Sequence, residues 1–76
     1  MKELLEYIAK SLVDFPDDVY VTESDSDRAL ILELHVNESD MGKVIGKQGR
    51  IAKSIRAVMK AAASRANKRV VVEIVQ

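Results

Sequence analysis

The chain has 76 residues, with 12 basic and 12 acidic side chains and a formal net charge of zero. That length gives one domain, 1–76, near the lower limit for a self-supporting core, and a composition 47% hydrophobic and 32% charged excludes a disordered tail. The absence of cysteine excludes disulfide staples, thiolate zinc sites and thiol nucleophiles, and with no Trp and one Phe a sheet stacking bases on exposed aromatics is not expected.

The chain opens on Leu4, Leu5, Ile8, Ala9, Leu12 and Val13 at helical spacing. This predicts an amphipathic helix that ends before Phe15-Pro16, since proline disfavours helix at the residue preceding it. Its start carries acids, unlike a secretory leader, and no stretch reaches the roughly 20 apolar residues of a membrane helix. A cytoplasmic protein is therefore expected. Val19–Glu23 is a β-prone run, Ser24–Asp27 a polar turn, and Ala29–Val36 a second strand with Leu30, Leu32, Leu34 and Val36 on one face. The short turn predicts an antiparallel hairpin. Ser39 or Asp40 is expected to cap a short helix running to Ile45. Gly46-Lys47-Gln48-Gly49 interrupts it, and a long helix follows from Arg50 to Ala66. Its apolar stripe reads as Ile51, Ile55, Val58, Met59, Ala62 and Ala66, with Lys53, Arg56 and Lys60 as a basic ridge elsewhere. Asn67-Lys68 is a brief turn before a third strand, Arg69–Val75. Two helices between the second and third strands permit parallel pairing. The expected architecture is α+β: a three-stranded mixed sheet with three helices on one face.

The neutral total conceals a split. Residues 1–40 hold three bases against eleven acids, −8, and residues 41–76 hold nine bases against Glu73 alone, +8. Such a split either offers a field to polyanions or is cancelled when the two halves pack together.

The stretch that carries chemistry is Gly42-Lys43-Val44-Ile45-Gly46-Lys47-Gln48-Gly49-Arg50-Ile51-Ala52-Lys53-Ser54-Ile55. Glycines without a Cβ let a sugar-phosphate chain approach the backbone. The second one opens a helix whose free amides and dipole favour phosphate. Lys47, Arg50 and Lys43 add charge there, and Ile45, Ile51, Ala52 and Ile55 are placed to floor an apolar groove for bases.

Ile45-Gly46-Lys47-Gln48-Gly49-Arg50-Ile51-Ala52 resembles the Ile-Gly-x-x-Gly-x-x-Ile signature of the KH RNA-binding domain, a module whose loop clamps about four nucleotides. The element order agrees with the bacterial, type II arrangement. The resemblance spans Met1 to Val75 and points to the small stand-alone bacterial KH proteins. It implies a non-enzymatic binder of single-stranded RNA, an RNA chaperone or post-transcriptional regulator without cofactor. Gly46–Gly49 would contact phosphate, Lys43, Arg50, Lys53 and Arg56 would add charge, and Ile45, Ile51, Ala52 and Ile55 would line the base groove. The family's variable loop falls at Ala66-Asn67-Lys68. The resemblance also implies self-association, or pairing with a larger KH-containing RNA-binding protein. Alanines 57, 61, 62 and 63 would permit close helix packing. An adaptor that uses the KH fold for protein association, and a single-stranded DNA binder, remain as alternatives.

Other polar residues read as structural. His35 lacks metal-ligand partners, Ser39 and Asp40 read as a cap, and Asp25 and Asp27 as turn chemistry. Tyr7 and Tyr20 read as partly buried aromatics, and Arg65, Lys68 and Arg69 as peripheral.

Overall fold

The structure, a computed structural model, describes residues 1–75. Helix α1 spans Lys2–Leu12 and stops short of a tight turn at Pro16–Asp18. Strands β1, Tyr20–Asp25, and β2, Leu30–His35, form the hairpin. The Ser26 amide closes its loop on the Ala29 carbonyl at 2.9 Å, and the Ser26 hydroxyl accepts the Ala29 amide at 3.1 Å. Helix α2, Met41–Ile45, helix α3, Arg50–Arg65, and strand β3, Val70–Val75, complete the chain. The sheet order is β1-β2-β3, with β1 antiparallel and β3 parallel to the central strand. The α2–α3 connection is thus the crossover that a parallel pair requires.

Alternation along the strands sets the two faces. Val21, Leu32, Leu34 and Val72 are buried against Leu5 and Ala9 of α1, Val44 of α2, and Ile55 and Met59 of α3. The opposite face carries the register rows Tyr20–His35–Val75, Thr22–Glu33–Glu73 and Ser24–Ile31–Val71. Tyr20 and His35 stack there with ring centroids 4.2 Å apart. Helix α3 ends in a reciprocal turn: the Lys68 amide reaches the Ala63 carbonyl at 2.8 Å and that of Asn67 reaches Ser64 at 3.1 Å. Asn67 adopts φ 56°, the left-handed conformation such an ending demands.

Three sequence expectations need correction. The buried stripe of α3 is Ala52, Ile55, Met59 and Ala63, rotated from the expected one, so that Val58 is 49% exposed. Tyr7 and Tyr20 are exposed rather than partly buried, at 72% and 52%. Asp40 stands at the N-cap position of α2, but neither it nor Ser39 caps the helix with its side chain; Asn37 instead caps the 3-10 turn Glu38–Asp40 that leads into α2, its Oδ1 accepting the Ser39 amide at 2.9 Å.

Asp40 has a different task. Its carboxylate is fully buried, Oδ1 accepting the Asp14 amide at 3.2 Å and Oδ2 the Phe15 amide at 3.0 Å. Those amides follow the end of α1, where no helical carbonyl serves them and a buried donor must find an acceptor. Lys43 Nζ lies 3.5 Å from Asp40 Oδ1 and 3.2 Å from Asp14 Oδ2. Burial alone raises the Asp40 carboxyl, but the two amides and the Lys43 ammonium outweigh it and hold it below the usual carboxylate range. Lys43 is pushed up, chiefly by the Asp14 carboxylate, with burial opposing and Asp40 adding.

A carboxyl depressed in the folded state stabilises fully above its unfolded value of 3.8 and loses that contribution as pH falls through the lower folded value. Asp40→Asn, which turns an acceptor into a donor facing an amide, is expected to lower Tm at neutral pH and to remove this component of acid unfolding. Asp14→Asn, at an exposed carboxylate, shifts Tm by only a few degrees. Thermal melts between pH 2 and 7 check both; an unchanged acid limb in Asp40→Asn would refute the assignment.

Candidate nucleic-acid interface

The loop between α2 and α3 owes its shape to backbone that side chains resist. Gly46 ends α2 at φ 75°, ψ 175°, a region essentially reserved for glycine. A Cβ at Gly46 would lie 2.5 Å from Cγ1 of Ile51, so the Ile51 side chain sits directly against the loop backbone. Gln48 and Gly49 are both left-handed, at φ 58° and φ 73°. The Gly49 amide bonds the Gly46 carbonyl at 3.1 Å and the Arg50 amide bonds that of Lys47. Those bonds do not take up the Lys47 and Gln48 amides at the head of the turn. They lie at the positive end of a 16-residue helix, beside the exposed Lys47 side chain. Gln48 Oε1 accepts from Arg50 Nη2 at 3.3 Å.

Beyond the loop, α3 presents two different flanks on either side of its buried stripe. Lys53, Arg56 and Lys60 recur at i, i+3 and i+7 and form the flank toward β3. The Arg56 Nε donates to the Val72 carbonyl of β3 at 3.2 Å. Farther along, Lys60, Ser64, Lys68 and Arg69 line a cleft of about 380 Å³ with Ala63, Val70 and Val71. Among the described residues, Lys43 is the only one of the nine bases after residue 40 that is ion-paired. The two charge halves therefore do not cancel by contact, and the cationic flank is open to an anion.

The other flank is apolar. Ile51, Ser54, Ile55 and Val58, with Arg50, face Leu4, Tyr7, Ile8 and Leu12 of α1 across a groove of about 490 Å³. Ile45, Ile51, Ala52 and Ile55, expected to floor one apolar groove beside the phosphate loop, do not all lie in this one. Ala52 is buried at 5% exposure, Ile45 packs against the core, and Ile51 and Ile55 line the α1 side. The structure brings Gly46, Lys47, Gln48, Gly49, Lys53 and Arg56 to the loop and the β3 flank. Arg50 reaches back to Gln48 of the loop while also lining the α1–α3 groove, and Lys43 is held by Asp14 and Asp40. Sequence reasoning missed Val72 as the anchor of Arg56, and it missed the α1–α3 groove. The apolar stripe of α1 was the available signal, since it is wider than one sheet face can cover.

Among the described residues no three His, Asp or Glu side chains are placed to hold a metal ion, and no helix is long and apolar enough to cross a membrane.

A helix, a hairpin, two helices joined by Gly-x-x-Gly and a parallel edge strand define a type II KH domain. The comparison with known families agrees: the family described as "KhpA/KhpB, KH domain" matches residues 2–74, and the chain belongs to it. It is 68% identical over 75 residues to the RNA-binding protein KhpA of Clostridium acetobutylicum, covering 99% of this chain and 100% of that one. The KhpA of Clostridium perfringens is 67% identical over the same shares, and that of Listeria monocytogenes 47% identical with both chains fully covered. No solved structure gives a significant match.

The loop geometry separates its two glycines. Gly46→Ala combines a glycine-only conformation with a clash against Ile51 and is expected to cost about 2–5 kcal/mol. Gly49→Ala, left-handed but with open space around it, is expected to cost about 1–2 kcal/mol. Urea melts of the two variants check the order; equal losses would contradict it.

Proposed function

We propose that the protein binds single-stranded RNA without catalysing a reaction, acting as an RNA chaperone or post-transcriptional regulator in the bacterial cytoplasm. The observation that carries this is the Gly46–Gly49 turn, which opens α3 beside cations left without acidic partners. Phosphates run along the glycines, where the Lys47 and Gln48 amides, the dipole of α3 and the Lys47 ammonium meet them. Lys53, Arg56 and Lys60 continue the positive track along β3. That the relatives are RNA-binding proteins supports RNA as the polyanion. Each phosphate contact with a single strand contributes about −0.7 to the slope of log K against log salt, so a site of about four nucleotides gives a slope near −3.

A second reading, association of protein chains, is favoured by the α1–α3 groove. Tyr7, Val58, Leu4 and Leu12 leave apolar surface there that nothing in the monomer covers. Arg50 is the one charged residue lining it, so two copies related by a two-fold axis can lay the same apolar patch of each against the other. A second copy is the occupant this favours; the larger KH-containing RNA-binding protein implied by the resemblance would compete for the same surface. Two linked grooves would also raise affinity for a longer strand through effective concentration.

Replacing both Lys47 and Gln48 by Asp puts carboxylates where phosphate is to lie. Fluorescence anisotropy should show binding weakened at least about tenfold and a shallower salt slope, with the melting curve preserved. Binding unaltered by the double substitution sinks the phosphate-loop reading, and equal competition by a matched DNA oligomer removes the preference for RNA. Val58→Asp should convert the wild-type dimer to monomer in sedimentation velocity while each protomer still binds a short oligomer. A wild type that sediments as a monomer refutes self-association through the groove.

A further inference from the structure

Strand β3 is the edge of the sheet, and its outer rim faces the cationic flank of α3. In a strand the N–H and C=O of one residue point to the same side and those of the next to the other. The Arg69 carbonyl accepts the Leu30 amide of β2 at 2.8 Å, so the odd-numbered residues of β3 serve the ladder. Val70, Val72 and Ile74 therefore direct their backbone polar groups outward, along the open edge. Arg56 Nε donates to one of these groups, the Val72 carbonyl, at 3.2 Å.

That single bond has two consequences. A guanidinium is planar and carries five N–H groups in a fixed fork, so anchoring Nε orients the four that remain on its two terminal nitrogens. Arg56 is exposed, and those four have no protein acceptor among the described residues. Secondly, one lone pair of the Val72 carbonyl is taken, whereas the Val72 amide faces the same edge unused. With the four guanidinium N–H groups, donors predominate at this point of the edge. Lys53 and Lys60, one turn to either side on the same flank, supply charge for phosphates, which leaves the anchored fork free for a base.

A donor-rich edge selects a base that presents adjacent acceptors. Guanine does so with N7 and O6, as cytosine does with O2 and N3, and a guanidinium meets such a pair at once; adenine puts an amino donor where guanine has O6. We propose that Arg56 is the base-reading residue of the α3–β3 groove and selects guanine over adenine through a fork held in place by the Val72 carbonyl. This rests on the RNA reading above. It adds selectivity to a loop that by itself grips only backbone.

Two other roles for Arg56 predict different behaviour. A phosphate contact would weaken all sequences alike when lost. A guard over an exposed sheet edge would affect association of the protein and leave base preference unmoved.

The test uses the full chain and short uridine RNAs in which one position at a time is guanosine, adenosine or 7-deazaguanosine, read by anisotropy. The wild type should favour guanosine over adenosine at one position by roughly 5- to 150-fold, the range of one bidentate contact. 7-Deazaguanosine, which lacks the N7 acceptor, should lose most of that preference. Arg56→Lys keeps the charge and removes the fork. It should abolish the preference, bringing the ratio of guanosine to adenosine affinity at that position to about one, with an unchanged circular-dichroism melt. A wild type that binds without preferring guanosine at any position overturns the proposal, as does a preference that survives in Arg56→Lys or a loss that is uniform across sequences. The double substitution of Lys47 and Gln48 separates the failures. If it weakens binding but no base preference exists, only the role of Arg56 falls; if it changes nothing, the loop reading falls as well.

Discussion

The buried carboxylate of Asp40 is the constraint on which the geometry of this fold turns. It accepts the Asp14 and Phe15 amides just beyond α1 and lies immediately before α2, so one side chain ties the end of the first helix to the start of the second. Carboxylates are seldom fully buried without partners, and this one is held by two backbone donors with Lys43 alongside. Helix α2 is only five residues long and cannot hold its own position by propensity. Tied at its start by Asp40 and pressed into the core by Val44, it delivers Gly46 to the one place where a backbone without Cβ fits over Ile51. The loop thus inherits its position from a polar contact about 25 residues away in sequence.

Helix α3 then divides the molecule's surface. Its middle stripe, Ala52, Ile55, Met59 and Ala63, is used up by the core, and small residues at two of the four positions let the helix lie close to the sheet. On one side the helix meets a bare strand edge through Arg56 and Val72. On the other it meets α1, whose apolar stripe overruns the sheet it covers and leaves Tyr7 and Leu12 outside. A helix with a basic flank and an apolar flank separates two kinds of contact, so that occupation of one leaves the other accessible. Binding a polyanion and associating with another chain are compatible on such a helix, where they would compete on a helix with one exposed face.

Much of this is legible in the residues because it follows from local rules. Proline places the end of α1, alternation of Leu30, Leu32 and Leu34 places the buried face of β2, and two helices between strands imply the parallel crossover. The loop is legible because its two glycines break a helical pattern that isoleucines on either side define. Asp40 is not. A carboxylate next to a helix start satisfies every local criterion for a cap, and its real partners, Asp14 and Phe15, come close only after the fold has formed. The buried stripe of α3 escapes the sequence for a related reason. Apolar residues cover more of its circumference than the core occupies, and periodicity cannot say which part a neighbouring helix leaves open. Nor can it reveal a bond such as that of Arg56, whose acceptor is a backbone carbonyl without a signature in sequence.

The zero net charge takes its meaning from where the structure spends its charges. Of the nine bases after residue 40, Lys43 is consumed in fixing Asp40 and Asp14, and among the described residues the rest lack acidic partners. The acids are not neutral bystanders to that field. On the sheet face turned away from the helices, Glu33 and Glu73 stand side by side in register on parallel strands, an arrangement that like-charge repulsion disfavours. The Tyr20 and His35 rings on the same face are stacked on each other and offer no free platform between them for a base. A sheet surface that could otherwise attract a strand is thereby made repulsive to phosphate, and discrimination between surfaces rests as much on that repulsion as on attraction elsewhere. On the proposed function, a neutral chain of this size would then direct a polyanion to the loop and the β3 flank of α3 without a net charge that would hold it everywhere.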